Sequence, residues 1–179
     1  MYAPAPDGIS LVFLCCAITA AAIIDSCWRR IPNPLTASIA ITGFVHAAFA
    51  GGPYGALASL FGAGAGVMLL LGPYIKGLVG GGDVKYLGAV GAWVGALSAV
   101  RILVLGAAAG GVLAFVFMLR LKAGDRLRVL CSIVSFARFG ELAVPSPEHL
   151  AGRERARGIP YGVALTLAAL WELLAGARG

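Results

Sequence analysis

Chemistry in this 179-residue chain falls mainly to eight carboxylates and two histidines. Asp7 and Glu172 fall at the outer ends of apolar runs, and Asp125, Glu141, Glu148 and Glu154 belong to a polar stretch. Two others sit where a carboxylate is costly. Asp25 ends the apolar run Ala20-Ala21-Ala22-Ile23-Ile24, and Asp83 follows Gly80-Gly81-Gly82 at the head of another. An Asp at mid-membrane costs roughly 2.5–3.5 kcal/mol on insertion scales, and less near an end, so each asks for a function. Brought together, two carboxylates can divide acid–base work, one taking a proton from water while the other gives one to a carbonyl. Singly, each also has a simpler role: Asp25 as a boundary residue reaching headgroups, Asp83 as an N-cap of the following helix.

Their neighbours fit such a site. Gly80, Gly81 and Gly82 clear side chains from the approach to Asp83, so a substrate backbone can come close. Pro32 and Pro34, flanking Asn33, suit a tight turn and a helix start that returns the chain from Asp25. Lys85, two residues past Asp83, lies on a different helix face. It either reaches the headgroups or stands as countercharge to a nearby carboxylate.

Other chemistries find little support. His46 stands alone in an apolar run and is expected as a hydrogen-bonded packing residue, with His149 in the polar stretch. No second histidine follows at i+4, and Cys15, Cys16, Cys27 and Cys131 contain no CxxC pair, so no metal site or redox dithiol is expected. Cys15 and Cys16, inside an apolar run, act as small hydrophobes. A GxGxxG fingerprint fails at Val67, where its last glycine should fall.

The elements that must hold these residues are set by composition. Sixty per cent of the residues are hydrophobic and 12% charged, with 26 glycines and a mean hydropathy of +0.91. A typical soluble domain is about a quarter charged. A water-soluble fold this small has too much surface to hide so much apolar area, and disorder needs low hydrophobicity. The chain is expected to be an integral membrane protein of helices, because lipid leaves open backbone groups without partners. The net charge of +6 then points to anionic headgroups and cytoplasmic loops rather than nucleic acid.

Apolar runs predict six spans at Ile9–Ile24, Leu35–Ala50, Gly55–Ile75, Val84–Val100, Ile102–Leu119 and Ile159–Leu174. Several are at the short end of what crosses a hydrocarbon core of about 30 Å. The first is expected to be a membrane span in preference to a signal peptide, since Arg29 and Arg30 follow it and no basic residue precedes it. With the N-terminus outside, twelve basic residues fall on the cytoplasmic side and only Arg101 and Arg178 outside. Asp25 and Asp83 then share a cytoplasmic depth. Three GxxxG pairs, Gly62/Gly66, Gly91/Gly95 and Gly106/Gly110, predict close helix contacts. The polar segment 121–157 predicts an amphipathic surface helix over Arg126–Val144 that ends at Pro145-Ser146-Pro147. A solvated charge patch over Arg153–Arg157 follows it.

Asp25–Asn33, Gly80–Lys85 and Ile159–Ala164 are three stretches that together resemble the type IV prepilin peptidases. Asp25-Ser26-Cys27-Trp28-Arg29-Arg30-Ile31-Pro32-Asn33 is similar to the family's first catalytic segment. Gly80-Gly81-Gly82-Asp83-Val84-Lys85 is similar to its second, the GxGD motif shared with presenilins, and Ile159-Pro160-Tyr161-Gly162-Val163-Ala164 to a third near the C-terminus. Larger bacterial members carry an N-terminal insertion with paired CxxC motifs tied to pilin methylation. That insertion is missing here, as in the peptidase-only branch serving tight-adherence (Flp) pili.

The resemblance implies a single peptidase domain over residues 1–179, in a bacterial inner membrane. Asp25 and Asp83 would be catalytic, and Gly80, Gly81, Gly82, Lys85, Pro32, Asn33 and Tyr161 would shape the site. The partners implied are a prepilin helix, the lipid bilayer and pilus or secretion assembly machinery, with no cofactor and no nucleic acid. The rival expectations are a proton-coupled transporter using the same carboxylates as a relay and a catalytically dead scaffold. A transporter's inverted repeat is not found, because the surroundings of Asp25 and Asp83 do not match.

Overall fold

The computed structural model describes residues 7–28, 31–77, 79–120 and 161–176, and the regular structure among them is all α-helix. α1 spans Gly8–Trp28, α2 Asn33–Ile75, α3 Gly81–Arg120 and α4 Tyr161–Gly176. α1, α2 and α3 are long and apolar enough to cross a membrane, whereas α4 is apolar but shorter. The surface helix expected over Arg126–Val144, the charge patch Arg153–Arg157, His149 and Cys131 lie outside the described residues. So do Arg29, Arg30 and the side chain of Tyr161. Contacts divide the chain into two units, Met1–Gly110 with Pro160–Gly179, and Gly111–Ile159. Within the second, the described part is the helical end of α3 up to Arg120.

Each of the two long helices is broken at a glycine. Gly52 has φ 58° and ψ −149°, and Gly95 has φ 83° and ψ 173°. Such backbone suits a residue with no Cβ. Gly52 falls in the gap expected between Ala50 and Gly55. There the chain doubles back: Gly55 lies against the Ala47 carbonyl, which a straight helix would carry about 12 Å away.

The second break corrects an expectation. The predicted boundary between the fourth and fifth spans is Arg101, yet helix continues through that residue and the break is at Gly95. Consecutive residues of α4 show the reversal. Thr166 bonds Tyr86 while Leu165 packs on Gly106, although a straight helix from Tyr86 to Gly106 would be about 30 Å long. Arg101 needs no loop, because its guanidinium donates to Glu172 Oε1 on α4 at 3.2 Å. Gly91 and Gly95 therefore do not share an unbroken helix face. The described residues form six helical segments: α1, two in α2, two in α3, and α4.

The core explains how they pack. α1 buries Leu14, Ile18 and Ala21, spaced as one face of a helix, and α4 buries Leu165, Ala168, Ala169 and Leu173. Tyr86, Leu87, Val90 and Trp93 of α3 complete the cluster with Ile39 of α2. Opposite faces carry apolar side chains outward, Ile9 and Phe49 each 88% exposed, as suits lipid. At the end of the bundle away from Asp25, His46 stacks on Trp93 with ring centroids 5.1 Å apart. The hydrogen bond expected of His46 is absent among the described residues: buried Nε2 has no such partner, and Asp7 Oδ2 is 3.9 Å away. Trp93 Nε1 instead donates to the Ile39 carbonyl at 2.8 Å.

α2 and α3 meet backbone to backbone. A Cβ on Gly62 would strike the Gly91 carbonyl, one on Gly91 the Gly62 carbonyl, and one on Gly66 the Leu87 carbonyl. Backbone atoms cannot rotate away, so Gly91→Ala must part the helices. Overpacking of about 1–3 kcal/mol should lower Tm in detergent by roughly 2–10 °C. Gly64→Ala, with nothing within 4 Å of the new methyl, should leave Tm within a degree or two of the parent and is the control.

Candidate active site

Three segments converge at one end of this bundle. The first runs from Asp25, near the C-terminal end of α1, to the head of α2. Pro32 is the N-cap of α2 in extended conformation (φ −61°, ψ 134°), and Pro34 fits the first turn, where a missing N–H is harmless. The Pro32 carbonyl accepts the N–H groups of Leu35 and Thr36 at 3.1 and 3.3 Å. Ile31, buried, packs on Gly82 of the second segment, where a Cβ would stand 3.7 Å from its own.

The second segment starts α3. The Gly80 carbonyl accepts the N–H groups of Asp83 and Val84 at 3.1 and 3.4 Å. Asp83 is the third residue of the helix, and its carboxylate turns back to accept the Gly80 N–H. This is the acidic half of a capping box. Asp83 is therefore not the N-cap expected, a position that Gly80 takes, and its part in the capping box is compatible with a catalytic role, since a carboxylate has lone pairs for both. Tyr74 covers Gly81, its Cε2 3.3 Å from where a Cβ would lie.

The third segment explains how Asp25 is seated. A Cβ on Gly162 of α4 would fall 2.5 Å from Asp25 Oδ2 and 3.0 Å from its Cγ. The carboxylate rests where a side chain would otherwise be. Asp25 and Asp83, on different helices and both partly buried, lie within Coulombic reach of one another.

Lys85 Nζ donates to Asn33 Oδ1 at 3.0 Å, tying α3 to the start of α2 at an exposed position. Beside that pair an open groove of about 640 Å³ runs between α2 and α3, lined by Thr36, Ala40, Ala63, Val67 and Gly88. Among the described residues no three His, Cys, Asp or Glu side chains gather as a metal cluster would.

The arrangement is thus two carboxylates on separate helices, with glycines at both. The sequence pattern around them decides its kinship: the model of the type IV leader peptidase family matches residues 12–117, more than half of the chain. The chain belongs to the type IV leader peptidase family. No curated protein and no solved structure matches it. As a type IV leader peptidase it is a membrane protein that cleaves prepilin leaders.

The matched region of this leader peptidase includes Asp25 and Asp83 but stops before α4, so the contribution of Gly162 comes from geometry alone. Several residues at the site carry no catalytic signal in the sequence. Tyr74 reads as an interfacial aromatic, and Tyr86 and Thr166 as ordinary members of apolar helices. Tyr86 lies three residues past Asp83, on the same helix face.

Proposed function

We propose that this leader peptidase is an intramembrane aspartic endopeptidase, with Asp25 and Asp83 sharing one proton and activating a water between them. The observation that carries the reading is the meeting of these two carboxylates, from separate helices, at one end of the bundle within Coulombic reach. The ionised aspartate takes a proton from water, whose oxygen attacks the scissile carbonyl. The protonated one gives its proton to the carbonyl oxygen. Collapse of the tetrahedral intermediate returns that proton to the pair and passes one to the leaving amine. Water is thereby added across the amide, with no covalent enzyme intermediate, metal or organic cofactor.

Gly80, Gly81 and Gly82 leave room for an extended substrate backbone. The groove beside Asn33 and Lys85 offers an apolar berth for the prepilin helix. The six helical segments would each cross a bacterial inner membrane, the shorter ones where it thins locally. The catalytic end would face the cytoplasm, where assembly machinery collects the product. Flp-like prepilins are the substrates that the resemblance to the short, peptidase-only branch suggests.

Purified protein in detergent should cleave a prepilin peptide, and cleavage should survive strong chelators. Loss of activity restored by zinc would overturn the aspartic mechanism. Ion flux in liposomes without cleavage would favour the transporter. Orientation is tested separately: a reporter fused after Arg128 should behave as cytoplasmic and one at Gly52 as external. Opposite results at both sites would put the aspartates on the outer face.

A further inference from the structure

Tyr86 and Thr166 take no part in the chemistry proposed above, yet they make a buried hydrogen bond next to it. The Tyr86 hydroxyl lies 2.8 Å from Thr166 Oγ1, the two residues 0% and 3% exposed. Thr166 Oγ1 in turn donates to the Gly162 carbonyl at 2.8 Å. A hydroxyl has one proton to give, so with Thr166 donating to Gly162 the Tyr86 O–H must donate to Thr166. The chain from Tyr86 through Thr166 to Gly162 is then satisfied at every link. Buried hydroxyls are expensive when unpaired, and an apolar pair would fill the same space without that liability. The polar pair therefore asks for a purpose beyond filling the core.

Its position supplies one. Tyr86 is one turn beyond Asp83 on α3, on the same face, and its hydroxyl lies within Coulombic reach of that carboxylate. Thr166 is one turn beyond Gly162 on α4, and Gly162 is the surface against which the Asp25 carboxylate rests. The hydrogen bond thus links the helix that carries Asp83 to the helix that seats Asp25. Apolar packing alone would let α3 and α4 slide, because it is not directional.

We propose that the Tyr86–Thr166 hydrogen bond positions the catalytic pair, fixing the Asp25–Asp83 separation by holding Gly162 in register with the Asp83 turn. The proposal rests on the reading of Asp25 and Asp83 as the catalytic dyad. Tyr86 and Thr166 are positioning residues, and neither touches substrate. Their effect should appear in turnover and in proton sharing, which depend on the separation, and not in substrate affinity.

Tyr86→Phe keeps the ring and removes the hydroxyl, leaving Thr166 still bonded to Gly162. It should lower kcat about 10–100-fold, the scale of a misplacement near 1 Å, with KM within twofold. The limbs of its pH–rate profile should move relative to the parent. Thr166→Val should reproduce these changes, the double variant should be no worse than either single, and Thr166→Ser should restore kcat to within about threefold of the parent. Asp25→Asn, assayed in parallel, separates the two readings. If Asp25→Asn is inactive while Tyr86→Phe keeps parental kcat and pH profile, the positioning proposal falls and the dyad stands. If Asp25→Asn remains active, both fall together. A Tyr86→Phe variant whose Tm drops while kcat per folded molecule is unchanged would show a purely structural bond and also overturn the proposal.

Discussion

Asp25→Asn and Asp83→Asn should each reduce prepilin cleavage by about 10³-fold or more, the upper range for loss of a general acid or base. Asn is nearly isosteric with Asp and can still accept the Gly80 N–H at position 83, so the cap of α3 survives and the protein should insert and purify normally. What Asn cannot do is carry the proton. The double variant should be no worse than either single, because residues acting as one catalytic unit are not additive. The parent enzyme should show a bell-shaped pH–rate profile. Activity is lost at low pH, where both carboxylates are protonated and neither can take a proton from water. It is lost at high pH, where both are ionised and neither can donate. The two limbs belong to the pair and not to either residue. Near-parental turnover in a well-folded Asp25→Asn or Asp83→Asn variant would remove the catalytic assignment and bring the transporter forward.

Gly162→Ala should be nearly as damaging, for a different reason. An alanine is favoured over glycine in a helix by up to about 1 kcal/mol, so on propensity alone the substitution should strengthen α4. Its methyl, however, would stand 2.5 Å from Asp25 Oδ2. The carboxylate is the movable partner and must give way by about 1 Å to reach van der Waals contact, a shift that can cost roughly 10²-fold in rate. The expected result is a stable protein, with Tm unchanged or raised, and kcat down about 100-fold. Parental kcat in Gly162→Ala would show that Asp25 does not work from the position seen here. A large fall in Tm would show that Gly162 supports the fold instead of the site.

The sequence is informative where local chemistry decides the outcome. Gly51-Gly52-Pro53 marks a turn on its own, because positive φ and a fixed proline φ are properties of those residues. The structure turns there. The Gly82–Ile31 and Gly162–Asp25 contacts were not legible, because each joins residues from different helices and no spacing along the chain encodes them. Gly95 was not legible for a related reason. Gly91 and Gly88, about one turn and two turns earlier, remain helical, so glycine content does not select the break. Arg101, the one charge between Lys85 and Arg120, reads as a boundary until Glu172 is found opposite it.

By itself the sequence determined the membrane environment and the helical class, and it showed glycines beside Asp83. These follow from composition, from backbone hydrogen bonding in lipid and from the intrinsic conformations of glycine and proline. Only the tertiary structure decided where α3 reverses, that Arg101 is paired, that Gly162 seats Asp25, and that Tyr86 reaches Thr166 across two helices. Those are outcomes of packing, which joins residues far apart in the chain and depends on all of them at once.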